Sequence, residues 1–317
     1  MQYLDELKSK IKEKLPDLDV VIGWEQGFDP LRATPLFMRT EEDVDKLTWG
    51  PLCVHNLATY LTGLKGKKVG VVVKGCDSRS IIELLQEKLI NREDITVFGL
   101  PCEGVISMKK VARAVGTLDY IEKVDVTTKG ITVSAEGKDY DLPLTEVGAD
   151  KCGRCQYHNA LLSDVFIGDT IDDSAEDDYS DVTEFEAKPR EERLNYWLAQ
   201  MDRCLRCYAC RNACPLCVCR DHCVAQSRDP HWMSQDDTVQ SKWFFQMIHA
   251  MHLAGRCTEC GECERSCPVG IPILLLRRKM NKQINELFDY KAGTKIDAKP
   301  PLMAFKVEED NINERGW

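Results

Sequence analysis

The sequence predicts an α/β (α+β) amino-terminal domain with a parallel βαβ core, followed by a mainly α-helical domain organised around cysteines. Three observations carry that reading. A continuous apolar run, VGVVV from Val69 to Val73, leads into the amphipathic stretch DSRSIIELLQEKLINRE and then into a second apolar run within DITVFGLPCEG. The second half contains two copies of one cysteine pattern, and between them SKWFFQMIHAMHLAG places Trp243, Phe244, Met247, Ile248 and Met251 at helical spacing, with Gly255 as a stop.

In the βαβ unit, Ile81, Leu84, Leu85 and Leu89 fall on one helix face, and Asp77 or Ser78 is placed to cap the helix. Cys76 follows the first strand and Cys102 the second. Neighbouring parallel strands would bring both sulfurs to the carboxyl edge of the sheet, where open α/β sheets bind ligands. The segment KCGRC adds Cys152 and Cys155. This domain is expected to span residues 1–168. Residues 169–190 read as a solvated acidic linker, because Asp169 to Ala187 contains nine acidic residues and no Lys or Arg. A helical stretch, PREERLNYWLAQMDR, then leads into Cys204, with Tyr196, Trp197 and Met201 available to pack beside it; the second domain is expected over residues 191–290. Residues 291–317 read as an extended tail in which Leu302, Met303, Phe305 and Trp317 could anchor on a partner.

Sixteen cysteines in 317 residues is several times ordinary usage. The chain opens MQYLDELKSK, with no basic stretch followed by an apolar one, so a cytoplasmic location is expected and clustered thiols read as metal ligands before disulfides. Cys204, Cys207, Cys210 and Cys214, followed by Pro215, fit C-x2-C-x2-C-x3-C-P; Cys257, Cys260, Cys263 and Cys267, followed by Pro268, fit it again. In two-cluster ferredoxins of this spacing the fourth cysteine serves the other cluster. That assigns Cys204, Cys207, Cys210 and Cys267 to one 4Fe-4S cluster, and Cys257, Cys260, Cys263 and Cys214 to a second, the fourth thiol of each motif lying on a following helix. Zinc sites also use C-x2-C pairs but do not call for the third cysteine or the terminal C-P. His249 and His252 are expected to be packed or solvated rather than ligands, and Cys53, Cys217, Cys219 and Cys223 to be packed free thiols. A formal net charge of −10 disfavours nucleic acid and anionic membrane surfaces as partners. The longest apolar runs are far below the roughly 20 residues needed for a membrane span. No Ser-His-Asp, paired-carboxylate or phosphate-loop constellation competes with a redox reading.

The long helical insert between the motifs makes the second domain similar to the α-helical dicluster ferredoxin domains of larger oxidoreductases. In the first domain, LKGKKVGVVVKGCDSRSI, then ITVFGLPCEGV, then KCGRCQYHNALLSDVFIGD, covering about residues 64 to 169, resembles the beta-subunit family of coenzyme F420 hydrogenases and dehydrogenases, formate dehydrogenase beta subunits included. Carried over position by position, the resemblance implies that Cys76, Cys102, Cys152 and Cys155 hold a third 4Fe-4S cluster, and it implies a flavin, FAD. The S-G-G segment that accompanies the family's flavin site is absent, the chain reading LCVHNLATYLTGLKG instead, and GxGxxG is absent too.

The leading expectation is therefore an iron-sulfur electron-transfer subunit of a multisubunit anaerobic oxidoreductase, passing single electrons between a catalytic dehydrogenase or hydrogenase subunit and a flavin-bearing or heterodisulfide-reductase-like subunit. One alternative is a flavin-containing subunit that itself exchanges hydride with a deazaflavin coenzyme or NAD(P)H. Another is a zinc-stabilised scaffold without redox turnover.

Overall fold

The computed structural model describes residues 3–304 except 128, 174–175, 220–221, 226–231 and 235. Nine strands are found among these: β1 (Val20–Gln26), β2 (Ala33–Met38), β3 (Leu47–Thr48), β4 (Val69–Val73), β5 (Ile95–Gly99), β6 (Ile121–Val126), β7 (Gly130–Ala135), β8 (Lys138–Pro143) and β9 (Val165–Phe166). The main sheet runs β2-β1-β4-β5-β9, with β3 also paired to β1, and β6-β7-β8 form a separate antiparallel meander. β4 is parallel to both β1 and β5, aligning Val69 with Val20 and with Ile95, and β9 continues the parallel run beside β5. Because β4 is covered on both faces, all five of its residues are buried, which is why it reads as an unbroken apolar run.

The crossover helix spans Gly75–Gln86, starting and ending earlier than its apolar spacing indicates. Its N-cap is Lys74, not Asp77 or Ser78; Asp77 instead reaches back to accept the Lys74 amide at 3.2 Å. The reason lies in the Lys74 side chain, which is buried, ion-paired to Asp77 at 2.8 Å and seated 4.2 Å from the Trp24 ring centroid. A lysine can be buried there only because a carboxylate, an aromatic face and the His55 carbonyl receive its ammonium. Cys76 consequently sits in the first helical turn. Gly75 faces the backbone of Tyr157 and Asn159 so closely that any Cβ would run into the Tyr157 carbonyl.

The second region is helical: Ser180–Glu186, Arg190–Asp202, Ala209–Asn212, Val239–His252, Glu262–Arg265 and Ile273–Phe288. It docks on the outer face of the Gly75–Gln86 helix. Arg79 donates to the Thr258 and Ala292 carbonyls at 3.0 and 2.8 Å, Ser80 bonds Thr258 at 2.9 Å, and Gln86 donates to the Lys295 and Ala298 carbonyls. Arg256 forks onto both oxygens of Glu87. The start of the expected tail is thus packed on the first domain. Leu302 and Met303 are exposed, and Phe305 and Trp317 lie outside the described residues.

Two further expectations change. The acidic segment is not simply solvated: Asp177 and Asp181 both pair with the buried Arg278, which also reaches Glu259, so part of the segment is held against the last helix by charge. In Val239–His252 the buried face is Lys242, Phe245, Gln246, His249 and Ala250, whereas Phe244, Met247 and Met251 are exposed. Apolar spacing selects the outward face because the inward face carries polar groups directed at cysteines.

Replacing Gly75 with Ala is expected to lower stability by about 1–3 kcal/mol, the usual cost of overpacking a fixed backbone contact, measured as a fall in thermal midpoint. A second outcome concerns Glu83, buried against Glu87, Arg256, Arg79 and Tyr290, whose carboxyl is pushed up to about 8 chiefly by burial and next by Glu87. The folded state binds this proton more tightly than the unfolded chain does, so stability should fall as pH rises from about 4.5 through about 8. Unfolding midpoints collected across that window should lose this slope in Glu83→Gln.

Candidate functional site

Both cysteine motifs adopt the same local backbone. Two residues after the first cysteine the chain turns left-handed, at Arg206 (φ 51°) in one copy and Glu259 (φ 57°) in the other; two residues later it does so again, at Tyr208 (φ 57°) and Gly261 (φ 73°). Left-handed backbone is unfavourable for residues with a side chain, so matched positions of this kind mark a loop shaped by what it surrounds. Each loop enters one turn of helix, Ala209–Asn212 or Glu262–Arg265, which carries the third cysteine, Cys210 or Cys263. The fourth, Cys214 or Cys267, lies after that helix and not on a following one, because the proline next to it disfavours helical backbone at the cysteine itself.

The fourth cysteines cross between motifs. Cys204, Cys207, Cys210 and Cys267 line one small cavity roofed by Phe245 and Gln246. Cys214 has Cys260, Cys263 and Cys257 as its electrostatic neighbours. Cys76, Cys102, Cys152 and Cys155 line a cleft enclosing about 970 Å³ at the carboxyl edge of β4 and β5. The chain therefore brings together the three sets of four thiols that spacing and resemblance indicate. Within each cavity the sulfurs surround a space: among the described residues, no three His, Cys, Asp or Glu side chains are placed to hold one metal ion.

Backbone amides are aimed at the sulfurs. Arg206 N–H donates to Cys204 Sγ at 3.4 Å and Tyr157 N–H to Cys155 Sγ at 3.4 Å, each two residues beyond its cysteine. The amides of Glu259, Glu262, Leu216 and Gly104 serve Cys257, Cys260, Cys214 and Cys102 in the same way. Ile271 N–H reaches Cys267 at 3.3 Å, Val105 N–H reaches Cys152 at 3.4 Å, and the Gln246 side chain reaches Cys210 at 3.6 Å. Such donors favour thiolate over thiol. Burial works against them, pushing Cys102 and Cys257 up to about 12 and Cys214 and Cys263 farther still. Thiols in this setting ionise only with added positive charge beside them. All-sulfur donor sets with amide support fit iron-sulfur clusters, which supply that charge.

Lysine and arginine side chains occupy the junctions between sets. Lys151 donates to the Cys260 carbonyl and lies near Cys76 and Cys152, so it stands between the cleft and the Cys257 motif. Burial and aromatic packing seal the first set: Trp197 and Met201 are buried with Cys210 and Cys267, and Trp197 stacks on Trp243 at 5.7 Å. Cys207 is the exposed member of that set.

Of the remaining cysteines, Cys53 is packed, its thiol 3.8 Å from the Thr48 carbonyl. Cys217 is half-buried beside Cys219 and Cys223, but Cys219 is exposed, since the chain after Pro215 runs over the surface. His249 is buried and His252 exposed, matching the expectation for both. Lys74, Lys151, Gln246 and Arg277 carry no motif that marks them in the sequence. A lysine directly before Cys152 and an Arg-Arg pair inside an otherwise apolar helical face were the available signals.

An α/β domain with a thiol-lined cleft, docked on a helical domain bearing two four-cysteine loops, is the build of an iron-sulfur oxidoreductase component. Residues 66–184 match the family described as the C terminus of the coenzyme F420 hydrogenase/dehydrogenase beta subunit, and residues 200–271 match the 4Fe-4S dicluster domain. The chain thus carries a beta-subunit domain of the coenzyme F420 hydrogenase/dehydrogenase family joined to a 4Fe-4S dicluster domain. It is 24% identical over 353 residues to F420-dependent formate dehydrogenase subunit beta of Methanocaldococcus jannaschii, spanning 92% of this chain and 90% of that protein. It is also 24% identical over 350 residues to F420-dependent formate dehydrogenase 1 subunit beta of Methanococcus maripaludis, spanning 90% and 89%. Among solved structures it aligns with a chain of the F420-reducing NiFe hydrogenase complex from Methanosarcina barkeri at 21% identity and a TM-score of 0.37, over 48% of this chain and 59% of that one. Among the described residues no helix is long and apolar enough to cross a membrane.

Proposed function

We propose that the chain is an iron-sulfur electron-transfer subunit of a multisubunit oxidoreductase of the hydrogenase or formate dehydrogenase kind, relaying single electrons between partner redox subunits. Cys204, Cys207, Cys210 and Cys267 hold one 4Fe-4S cluster; Cys257, Cys260, Cys263 and Cys214 hold a second; Cys76, Cys102, Cys152 and Cys155 hold a third. The observation that carries this reading is the unbroken succession of sulfur sets from the cleft to the surface. Lys151 links the cleft to Cys260, Cys263 neighbours Cys210, and Cys207 is exposed at the far end. Each cluster, when bound, takes up and releases one electron. The residues do the rest: amides tune the sulfurs, the Trp197 and Phe245 layer excludes water, and the exposed edge at Cys207 gives a docked partner access.

A second reading, a flavin-bearing subunit that handles hydride itself, is favoured by one feature. Beside the cleft lies an open hollow lined by Arg32, Lys109, Lys110, Arg113, Arg154 and Arg265, with Phe28 exposed at its rim. Cations converging beside an aromatic face suit the pyrophosphate and ring of FAD. Flavin released in stoichiometric yield on denaturation would establish this reading; protein that releases none and cannot be reconstituted would remove it.

Electron paramagnetic resonance of the reduced, anaerobically purified chain tests the relay. Cys267→Ser should abolish the same signal as Cys207→Ser, with loss of about four irons, and Cys214→Ser the same signal as Cys260→Ser. If Cys267→Ser instead matches Cys260→Ser, the crossed arrangement is wrong.

A further inference from the structure

The helix Ile273–Phe288 places two adjacent arginines in the interior, and their surroundings are opposite. Arg278 is surrounded by carboxylates from Asp177, Asp181 and Glu259. Arg277, 1% exposed, has no carboxylate in ion-pair contact among the described residues. Its guanidinium donates to the Gln246 carbonyl at 3.3 Å and to His249 Nδ1 at 2.6 Å, while its Nε has no partner. A guanidinium only donates, so His249 Nδ1 must accept; the imidazole is neutral, with its proton on the buried Nε2. Neither partner supplies negative charge. A buried, uncompensated cation is strongly disfavoured, and the same helix gathers three carboxylates one residue away while placing none here.

The missing charge lies on the sulfur side. Gln246 receives Arg277 through its carbonyl and points its amide at Cys210 Sγ, 3.6 Å away. One turn along the same helix as Arg277, Asn281 donates to the Cys257 carbonyl at 2.8 Å. Cys210 belongs to one four-thiol set, and Cys257 and Cys263 to the other, and Arg277 is within electrostatic reach of all three.

We propose that Arg277 is the internal counter-ion of the two clusters in the helical domain, held between them by Gln246 and His249, and that it favours the reduced state of both. This rests on the cluster reading above. A 4Fe-4S cube with four cysteine thiolates carries net negative charge that grows by one on reduction, so a fixed cation between two such cubes stabilises the extra electron on either. The same cation eases the approach of two anionic centres, which permits close packing without mutual repulsion emptying one of them.

The test is a redox titration followed by electron paramagnetic resonance, on the full chain purified without oxygen, comparing the unaltered protein with Arg277→Gln and Arg277→Lys and with iron content measured in each. Arg277→Gln should lower the potential of both clusters by at least about 59 mV, a tenfold change in a one-electron equilibrium. Arg277→Lys, which keeps the charge but not the fork, should stay closer to the unaltered protein than Arg277→Gln does. Should Arg277→Gln fail to load iron, recovery of loading in Arg277→Lys supports the charge role, and equal failure of both overturns it. Loaded Arg277→Gln with unchanged potentials also overturns it and leaves the cluster reading intact, whereas an unaltered chain without iron defeats the cluster reading itself.

Discussion

The exchange of the fourth cysteine between the two motifs constrains the helical domain more than any other feature. Cys214 must reach the Cys257 loop and Cys267 the Cys204 loop, so the two loops have to lie back to back. Helices Val239–His252 and Ile273–Phe288 are then fixed as the walls of that arrangement. Their inward faces cannot be purely apolar, because they meet sulfur and its charge: Gln246, His249, Arg277 and Asn281 are all buried there. The apolar seal is provided from the other side by Trp197, Met201 and Trp243.

Docking to the α/β domain uses residues that adjoin the cysteines themselves. Arg256 precedes Cys257 and grips Glu87; Thr258 follows it and meets Ser80 and Arg79. Asn56 completes this buried polar chain by donating to Ser80 at 2.9 Å. Buried polar networks of this kind tolerate few alternative arrangements, since an unpaired member loses its hydration without compensation. The placement of the Cys257 loop against the thiol-lined cleft is therefore as definite as the packing within either domain. Lys151, set between them, serves both sides.

The parallel core and the twelve grouped cysteines were legible because each rests on a strict local rule: an apolar run covered on both faces, or thiols at fixed offsets in a loop. What was not legible depended on contacts between distant segments. The Gly75–Gln86 helix begins before its apolar pattern because Lys74 finds Trp24 and Asp77. Asp177 and Asp181, which read as solvated, are drawn to Arg278 from far along the chain. The buried face of Val239–His252 escapes periodicity, which rewards apolar side chains and has no way to anticipate sulfur as the neighbour. Arg277 and Arg278, alike in sequence, acquire opposite surroundings only through the fold.

Metal content, measured as iron, inorganic sulfide and zinc per chain on protein purified without oxygen, bears most directly on whether these thiols hold cubes. The arrangement of three four-thiol sets requires about twelve irons, an equal amount of sulfide and no zinc. Zinc in place of iron, or iron without inorganic sulfide, would contradict it.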